Sequence, residues 1–99
     1  MLHHIVLFNL KLSASEAHAE RIYRSIRSLK DIIPGIDSVS SDQSERAEKR
    51  SRKYDYGFMV TFLDRNTRDA YLEHPLYREI KKEFMLPYIE EMLTHDFCS

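Results

Sequence analysis

The chain is poor in the features that mark secreted, membrane-spanning or nucleic-acid-binding proteins. It has a single cysteine, Cys98, in 99 residues, so no internal disulfide can form and a reducing, cytoplasmic home is expected. Its longest apolar run, Ile5 to Phe8, is far short of the ~20 residues needed to cross a bilayer as a helix. Neither sign of charge is in surplus: 15 basic against 16 acidic side chains leave a formal net charge of -1, which gives no overall attraction to nucleic acid or to an anionic membrane. The opening residues hold no basic segment followed by a long apolar core and a small-residue cleavage site, so secretion is not expected. No internal repeat is evident.

What is present describes a globular chain, with 42% hydrophobic and 31% charged residues. A chain this long makes one domain, expected over residues 1–99, that buries roughly 65% of the surface its unfolded form exposes. The most telling stretch is Tyr54 to Leu63. Tyr54, Tyr56, Phe58, Val60 and Phe62 alternate with Met59, Thr61 and Leu63, so a strand here is apolar on both faces. Leu2 to Leu10 repeats the pattern, with Leu2, His4, Val6, Phe8 and Leu10 on one face and Ile5 and Leu7 on the other. Such strands need a cover on each side.

After the first strand, which ends near Lys11, Ser13 followed by Glu16 is a capping-box signal for a helix start. Ile22, Ile26, Leu29 and Ile33 then form one apolar stripe, with Glu20, Arg21, Arg24, Arg27 and Lys30 mostly outward. Pro34-Gly35 stops this helix, and Ile36 to Ser41 reads as a short strand. Ser44 to Lys53 is polar; Glu45 and Glu48 interleave Arg46, Lys49, Arg50, Arg52 and Lys53, the pattern of a solvated hairpin loop rather than an RNA contact. A second helical region, Thr67 to Leu72, is broken by His74-Pro75 and resumes from about Leu76 to Phe84. Pro87 is read as opening a helical turn that holds Ile89 and Met92, and a last strand as running from about Leu93 to Phe97.

This β-α-β-β-α-β order implies an α+β, ferredoxin-like sandwich: a four-stranded antiparallel sheet with the helices on one face and the first and third strands in the middle. The even-numbered residues match the bulk of the helical stripe and are expected to face it. The odd face, Ile5, Leu7, Met59 and Leu63 beside Asn9 and Thr61, is then left bare. The helices suffice for one cover only, so a second copy of the chain is expected on the other, burying on the order of 800 Å² per partner in a dimeric α/β barrel.

The chain also resembles a known family, the stress-responsive dimeric α/β-barrel (Dabb) domains. The resemblance rests on the order and spacing of His4-Ile5-Val6-Leu7-Phe8, Ile32-Ile33-Pro34-Gly35, Tyr54-Asp55, Tyr71 with His74-Pro75, and His95-Asp96-Phe97. It implies the same fold and sheet-to-sheet homodimer. One branch of that family, the plant polyketide cyclases, closes a poly-keto chain by aldol condensation without metal or cofactor. By that resemblance Tyr71 corresponds to a tyrosine serving the chemistry and His4 to a pocket histidine, whereas Tyr77 and Tyr56 stand where the cyclases have histidines. Tyrosine, with an ordinary pKa near 10 against about 6.5 for histidine, is a proton donor and a poor base.

The candidate chemical residues are therefore Tyr71 as donor and His4 or His74 as base, with Tyr23, Tyr56, Phe58, Tyr77 and Tyr88 lining an aromatic, hydrogen-bonding cleft. Each has an ordinary reading beside it. His4 is equally a buried histidine bonded to a neighbour, His74 a side chain satisfying carbonyls freed at the helix break, and the tyrosines amphipathic core residues with a wet hydroxyl. His3 and His4 are strand neighbours, point to opposite faces and cannot chelate together, so no metal site is expected. Nothing around His74 resembles a haem motif and no cofactor is expected. Cys98 has no His or Lys placed beside it by sequence, which argues against a catalytic thiol. Two functions stay open, a homodimer that binds a small apolar or aromatic carbonyl compound without turnover, or a cofactor-free cyclase, lyase or isomerase acting on a keto substrate; a third, a purely structural assembly unit without a pocket, is favoured if side chains fill the space between sheet and helices.

Overall fold

The computed structural model describes residues 1–41 and 54–99. The basic segment Ser44 to Lys53 lies outside the described residues. The elements are β1 (Leu2–Leu10), α1 (Glu16–Ser28) extended by a 3-10 turn (Leu29–Asp31), β2 (Ile36–Ser41), β3 (Tyr56–Phe62), α2 (Arg65–Glu73), α3 (Pro75–Ile80), a π-helical segment (Lys81–Met85) and β4 (Ile89–Cys98). The strands form one antiparallel sheet in the order β2-β3-β1-β4, so the two strands that are apolar on both faces are the central ones.

The helix-facing side of that sheet carries the even-numbered residues: Leu2, His4, Val6 and Phe8 of β1 and Phe58, Val60 and Phe62 of β3 are all buried. They pack with Ala19, Ile22, Tyr23 and Ile26 of α1, with Leu29 and Ile33 beyond it, and with Tyr71, Tyr77 and Met85. Burying these side chains is worth roughly 1.5–3 kcal/mol for each large one, which is why the apolar stripe, not local propensity, fixes where α1 lies.

The opposite face is apolar and uncovered by any described element. Leu7 of β1, Leu93 and Phe97 of β4 and Leu63 just beyond β3 are exposed, with Ile5 and Met59 half-buried among them. Leu93 and Phe97 extend the patch across β4, because that strand pairs Leu7 with Leu93 and His3 with Phe97. Thr61 departs from the expected bare position: it is buried and its hydroxyl bonds His3 Nδ1 at 3.1 Å.

Several boundaries differ from the sequence reading: the first helix gives way to a 3-10 turn after Ser28 and ends at Asp31 rather than at Pro34-Gly35, and α2 starts at Arg65 rather than Thr67. The cap of α1 is Ser15 rather than Ser13, in a capping box closed by His18 rather than Glu16; Ser15 N–H donates to His18 Nδ1 at 3.1 Å, so an imidazole does the work usually given to a glutamate. β3 begins at Tyr56, two residues after Tyr54. The helical turn expected over Ile89 and Met92 is strand instead: Ile89 pairs with Leu10, Glu91 with Asn9 and Met92 with Phe8, with a bulge between. The i, i+3 spacing of two apolar residues is ambiguous over so short a stretch, and ladder pairing with a central strand overrides it.

Gly35 is required where the first helix turns into β2. Its φ is +95°, and a Cβ there would stand 2.4 Å from Thr67 Cγ2. Thr67 is itself fixed in the capping box of α2, accepting from Asp64 N–H at 3.2 Å while its own N–H donates to Asp64 Oδ1 at 2.9 Å. The turn after α1 thus sets the start of α2, and through it the height of Tyr71 above the sheet.

Candidate functional site

The break at His74-Pro75 is what assembles the site. Tyr71 and Tyr77 are six residues apart, which in one continuous helix is a rotation of about 600°, leaving them on different faces. His74 instead adopts an extended backbone (φ -68°, ψ 134°) that ends α2 and starts α3, with Pro75 in the first turn. The phase is reset, and both rings come inward with centroids 4.5 Å apart. His74 is the cap of the new helix: its Nδ1 accepts from Leu76 N–H at 3.1 Å. It thus satisfies a freed amide, not the freed carbonyls that the sequence reading assigned to it.

Tyr71 is wholly buried, and its hydroxyl has no hydrogen-bond partner among the described residues. A buried hydroxyl without a partner costs about 1–3 kcal/mol. Burial pushes its hydroxyl pKa well above the ordinary tyrosine value, with Tyr77 adding to the rise; burial also raises Tyr77. Both are therefore held as proton donors at any physiological pH.

Facing Tyr71 from β1 is His4, the two rings 6.2 Å apart and edge to face. His4 Nδ1 lies 2.7 Å from Asp96 Oδ1. A carboxylate only accepts, so Nδ1 is the donor of this bond and Nε2 is the ring nitrogen that Asp96 leaves unengaged. The other carboxylate oxygen of Asp96 takes the guanidinium of Arg68, which also bonds Asp69 at 2.7 Å. Those bonds, the one to Asp69 foremost, raise the Arg68 pKa despite desolvation. Three elements thus converge: His4 on β1, Asp96 opposite it on β4, and Arg68 one helical turn before Tyr71 on α2.

Neither Asp96 nor Arg68 is a candidate site residue by sequence, although Asp96 stands in the His95-Asp96-Phe97 stretch that carries the family resemblance. The signal for Asp96 exists only once the β1·β4 register is known, since that register alone makes it the neighbour of His4 on the inner face. Arg68 is readable in principle from its i, i+3 relation to Tyr71.

The remaining candidates do not gather into one cleft with Tyr71. Tyr23 is buried on α1 and its hydroxyl accepts from Gly57 N–H at 3.2 Å. Phe8 carries Tyr56 stacked at 5.5 Å and Phe58 at 6.4 Å, an aromatic cluster further along the sheet. Tyr88 is half-buried against His18, ring centroids 4.2 Å apart.

Two surface grooves border the site. One, of about 460 Å³, runs along α2, α3 and the π segment and has Tyr77 in its wall beside Leu72, Leu86 and several charged side chains. The other, of about 400 Å³, is bounded by Leu2, Arg65, Arg68, Asp96, Phe97 and Cys98 and gives Asp96 its contact with solvent. Among the described residues no group of three or more His, Cys, Asp or Glu side chains is placed to hold a metal ion, and no helix is long and apolar enough to cross a membrane.

The family model described as the stress responsive A/B barrel domain matches residues 2–99. Among solved structures the chain is similar to a dimeric ferredoxin-like protein of unknown function from Jannaschia sp. CCS1, at 22% identity and a TM-score of 0.82 over 99% of this chain and 98% of that one. A Dabb family protein with a ferredoxin-like fold from Mesorhizobium loti is 26% identical, with a TM-score of 0.65 over 99% and 95% of the two chains. The hydroxynitrile lyase from Passiflora edulis is 21% identical, with a TM-score of 0.75 over 97% and 90%. No curated protein sequence matches.

Proposed function

The chain belongs to the stress responsive A/B barrel domain family, and from the geometry around Tyr71 we propose that it is a homodimer that binds a small apolar or aromatic carbonyl compound between the sheet and the helices. The observation that carries this is the buried Tyr71 hydroxyl with no partner among the described residues, set beside an imidazole oriented by Asp96. Buried polar groups are almost always paired. A donor left unpaired in an aromatic surround suits a ligand oxygen that arrives with its own apolar body.

The homodimer is supported by the bare apolar face around Leu7, Leu93 and Phe97 and by the similar ferredoxin-like proteins that are described as dimeric. Face-to-face packing would bury on the order of 800 Å² per partner, enough for a stable pair. A lone, exposed thiol at Cys98 suits a reducing cytoplasm.

A second reading has its own observation. The 2.7 Å bond from His4 to Asp96 is the arrangement by which a carboxylate fixes the tautomer of a general base. With His4 Nε2 taking a proton alpha to a carbonyl and Tyr71 donating a hydrogen bond to the resulting enolate oxygen, the site would run a cofactor-free cyclisation, lyase or isomerase step. His74 is the weaker base, because its Nδ1 is already spent as a helix cap. Neither reading calls on a metal or a cofactor.

A panel of aryl ketones and phenols screened by thermal shift, with every hit followed for turnover, tests both. A stabilising ligand recovered unchanged, whose effect is lost in Tyr71→Phe, supports binding alone. A product whose rate of formation falls at least a hundredfold in both His4→Ala and Tyr71→Phe supports catalysis. Hits that are unaffected by either substitution would refute the assignment of the site.

A further inference from the structure

Building on the Tyr71 reading, we propose that the groove beside Tyr77 holds an anionic group of the ligand, so that the compound taken by this protein is a carbonyl compound bearing a carboxylate. The groove has an apolar wall of Leu72, Tyr77 and Leu86 and a charged rim of Arg78, Lys81, Lys82 and Glu73. Glu73 is the one acid of that rim, and it is loosely paired with Arg78 at 3.3 Å. Lys81 and Lys82 have no ion pair among the described residues. Two positive charges thus stand uncompensated over an apolar floor.

The local backbone sets them there. Lys81–Met85 is π-helical, closed by Leu86 N–H donating to Lys81 C=O at 2.8 Å. Such widened turns cost helical regularity and recur at functional sites. Tyr77 links this groove to the buried donor: it lines the groove on one side and packs at 4.5 Å against the Tyr71 ring on the other. A ligand seated here sets its apolar body against Tyr77 and Leu72 and its carboxylate toward Lys81 and Lys82, and its carbonyl oxygen reaches the buried Tyr71 hydroxyl when the Tyr77 ring packed against Tyr71 swings aside. Lys81, half-buried, and Lys82, exposed, together confer a preference of roughly tenfold at low salt, weakened by screening as salt rises.

The test is calorimetric titration of the intact protein with 4-acetylbenzoate and 4-acetylphenylacetate, each beside its methyl ester, at low and high salt. The acids are expected to bind about tenfold tighter than the esters at low salt, the gap closing at high salt and in the variant carrying Lys81→Gln and Lys82→Gln together. Nuclear magnetic resonance shifts at the Tyr77 amide should accompany acid and ester alike, and those at the Lys81 and Lys82 amides the acid alone. Esters that bind as tightly as acids, with both losing affinity in Tyr71→Phe, would overturn the anion site and leave the Tyr71 reading standing. An acid preference that survives the double lysine variant would overturn it as well. If no ketone binds in either form, both readings fall.

Discussion

Tyr71→Phe is the perturbation that separates a ligand donor from an ordinary core tyrosine, because the two give opposite signs. In the unliganded protein the Tyr71 hydroxyl is buried without a partner among the described residues, so removing it relieves a desolvation cost of about 1–3 kcal/mol. The phenyl ring that remains keeps its packing against Phe62, at 4.9 Å, and Tyr77. We expect the variant to be more stable by about 1 kcal/mol or more, a rise in Tm of roughly 4–8 °C per kcal/mol for a domain of this size, and to lose ligand affinity. Tyr23→Phe is the matched control. That hydroxyl accepts from Gly57 N–H, so the same chemical change should destabilise by about 1–3 kcal/mol. Urea and thermal denaturation at one fixed protein concentration, since the stability of the proposed dimer would depend on it, give both numbers. A Tyr71→Phe protein that is less stable than the parent would mean the hydroxyl is satisfied, and the reasoning about the site would fail.

Three further outcomes follow from the geometry. Gly35→Ala forces a Cβ to within 2.4 Å of Thr67 at a φ of +95°; we expect a loss on the order of 2 kcal/mol or more in urea denaturation, and a neutral result would contradict the coupling of this turn to α2. Leu93→Glu places a charge opposite Leu7 on the bare sheet face and should convert a dimer to a monomer in sedimentation, with the fold kept by circular dichroism. Tyr71 and Tyr77 have hydroxyl pKa values raised by burial; above about pH 10 the unfolded chain releases these protons while the folded one keeps them, so the unfolded state binds fewer protons and stability falls as pH rises. The urea midpoint should therefore drop more steeply from pH 9 upward in the parent than in a Tyr71→Phe, Tyr77→Phe variant.

The architecture was legible because it is written in period-2 alternation. Residues Leu2 to Phe8 and Phe58 to Phe62 name their own faces, and His74-Pro75 punctuates the second helical region where the structure breaks it, whereas the first helix closes at Ser28 and a 3-10 turn to Asp31, ahead of Pro34-Gly35. What failed was local and short. Ser13 and Ser15 both offer a cap, and sequence prefers a glutamate to close the box, whereas His18 closes it from Ser15. Ile89 and Met92 read equally as helix or strand until the β1 ladder decides.

The site was half legible. Tyr71, Tyr77 and His4 come together because each lies on an element whose inward face is apolar and therefore readable. Tyr88 and Tyr56 went elsewhere, since a tyrosine's spacing gives its face but not its height along the sheet. Asp96 and Arg68 were hidden for another reason: a polar residue's role is set by its cross-strand neighbour, and Asp96 means little until register sets it against His4.

The central claim is that the Tyr71 hydroxyl donates to a ligand oxygen, and the infrared carbonyl stretch of a bound, carbon-13-labelled aryl ketone measures it directly. In the parent the bound band should lie below that of the same ketone in an apolar solvent, and at saturating ketone it should return to the apolar position in Tyr71→Phe. A band at the same frequency in both proteins would contradict the account.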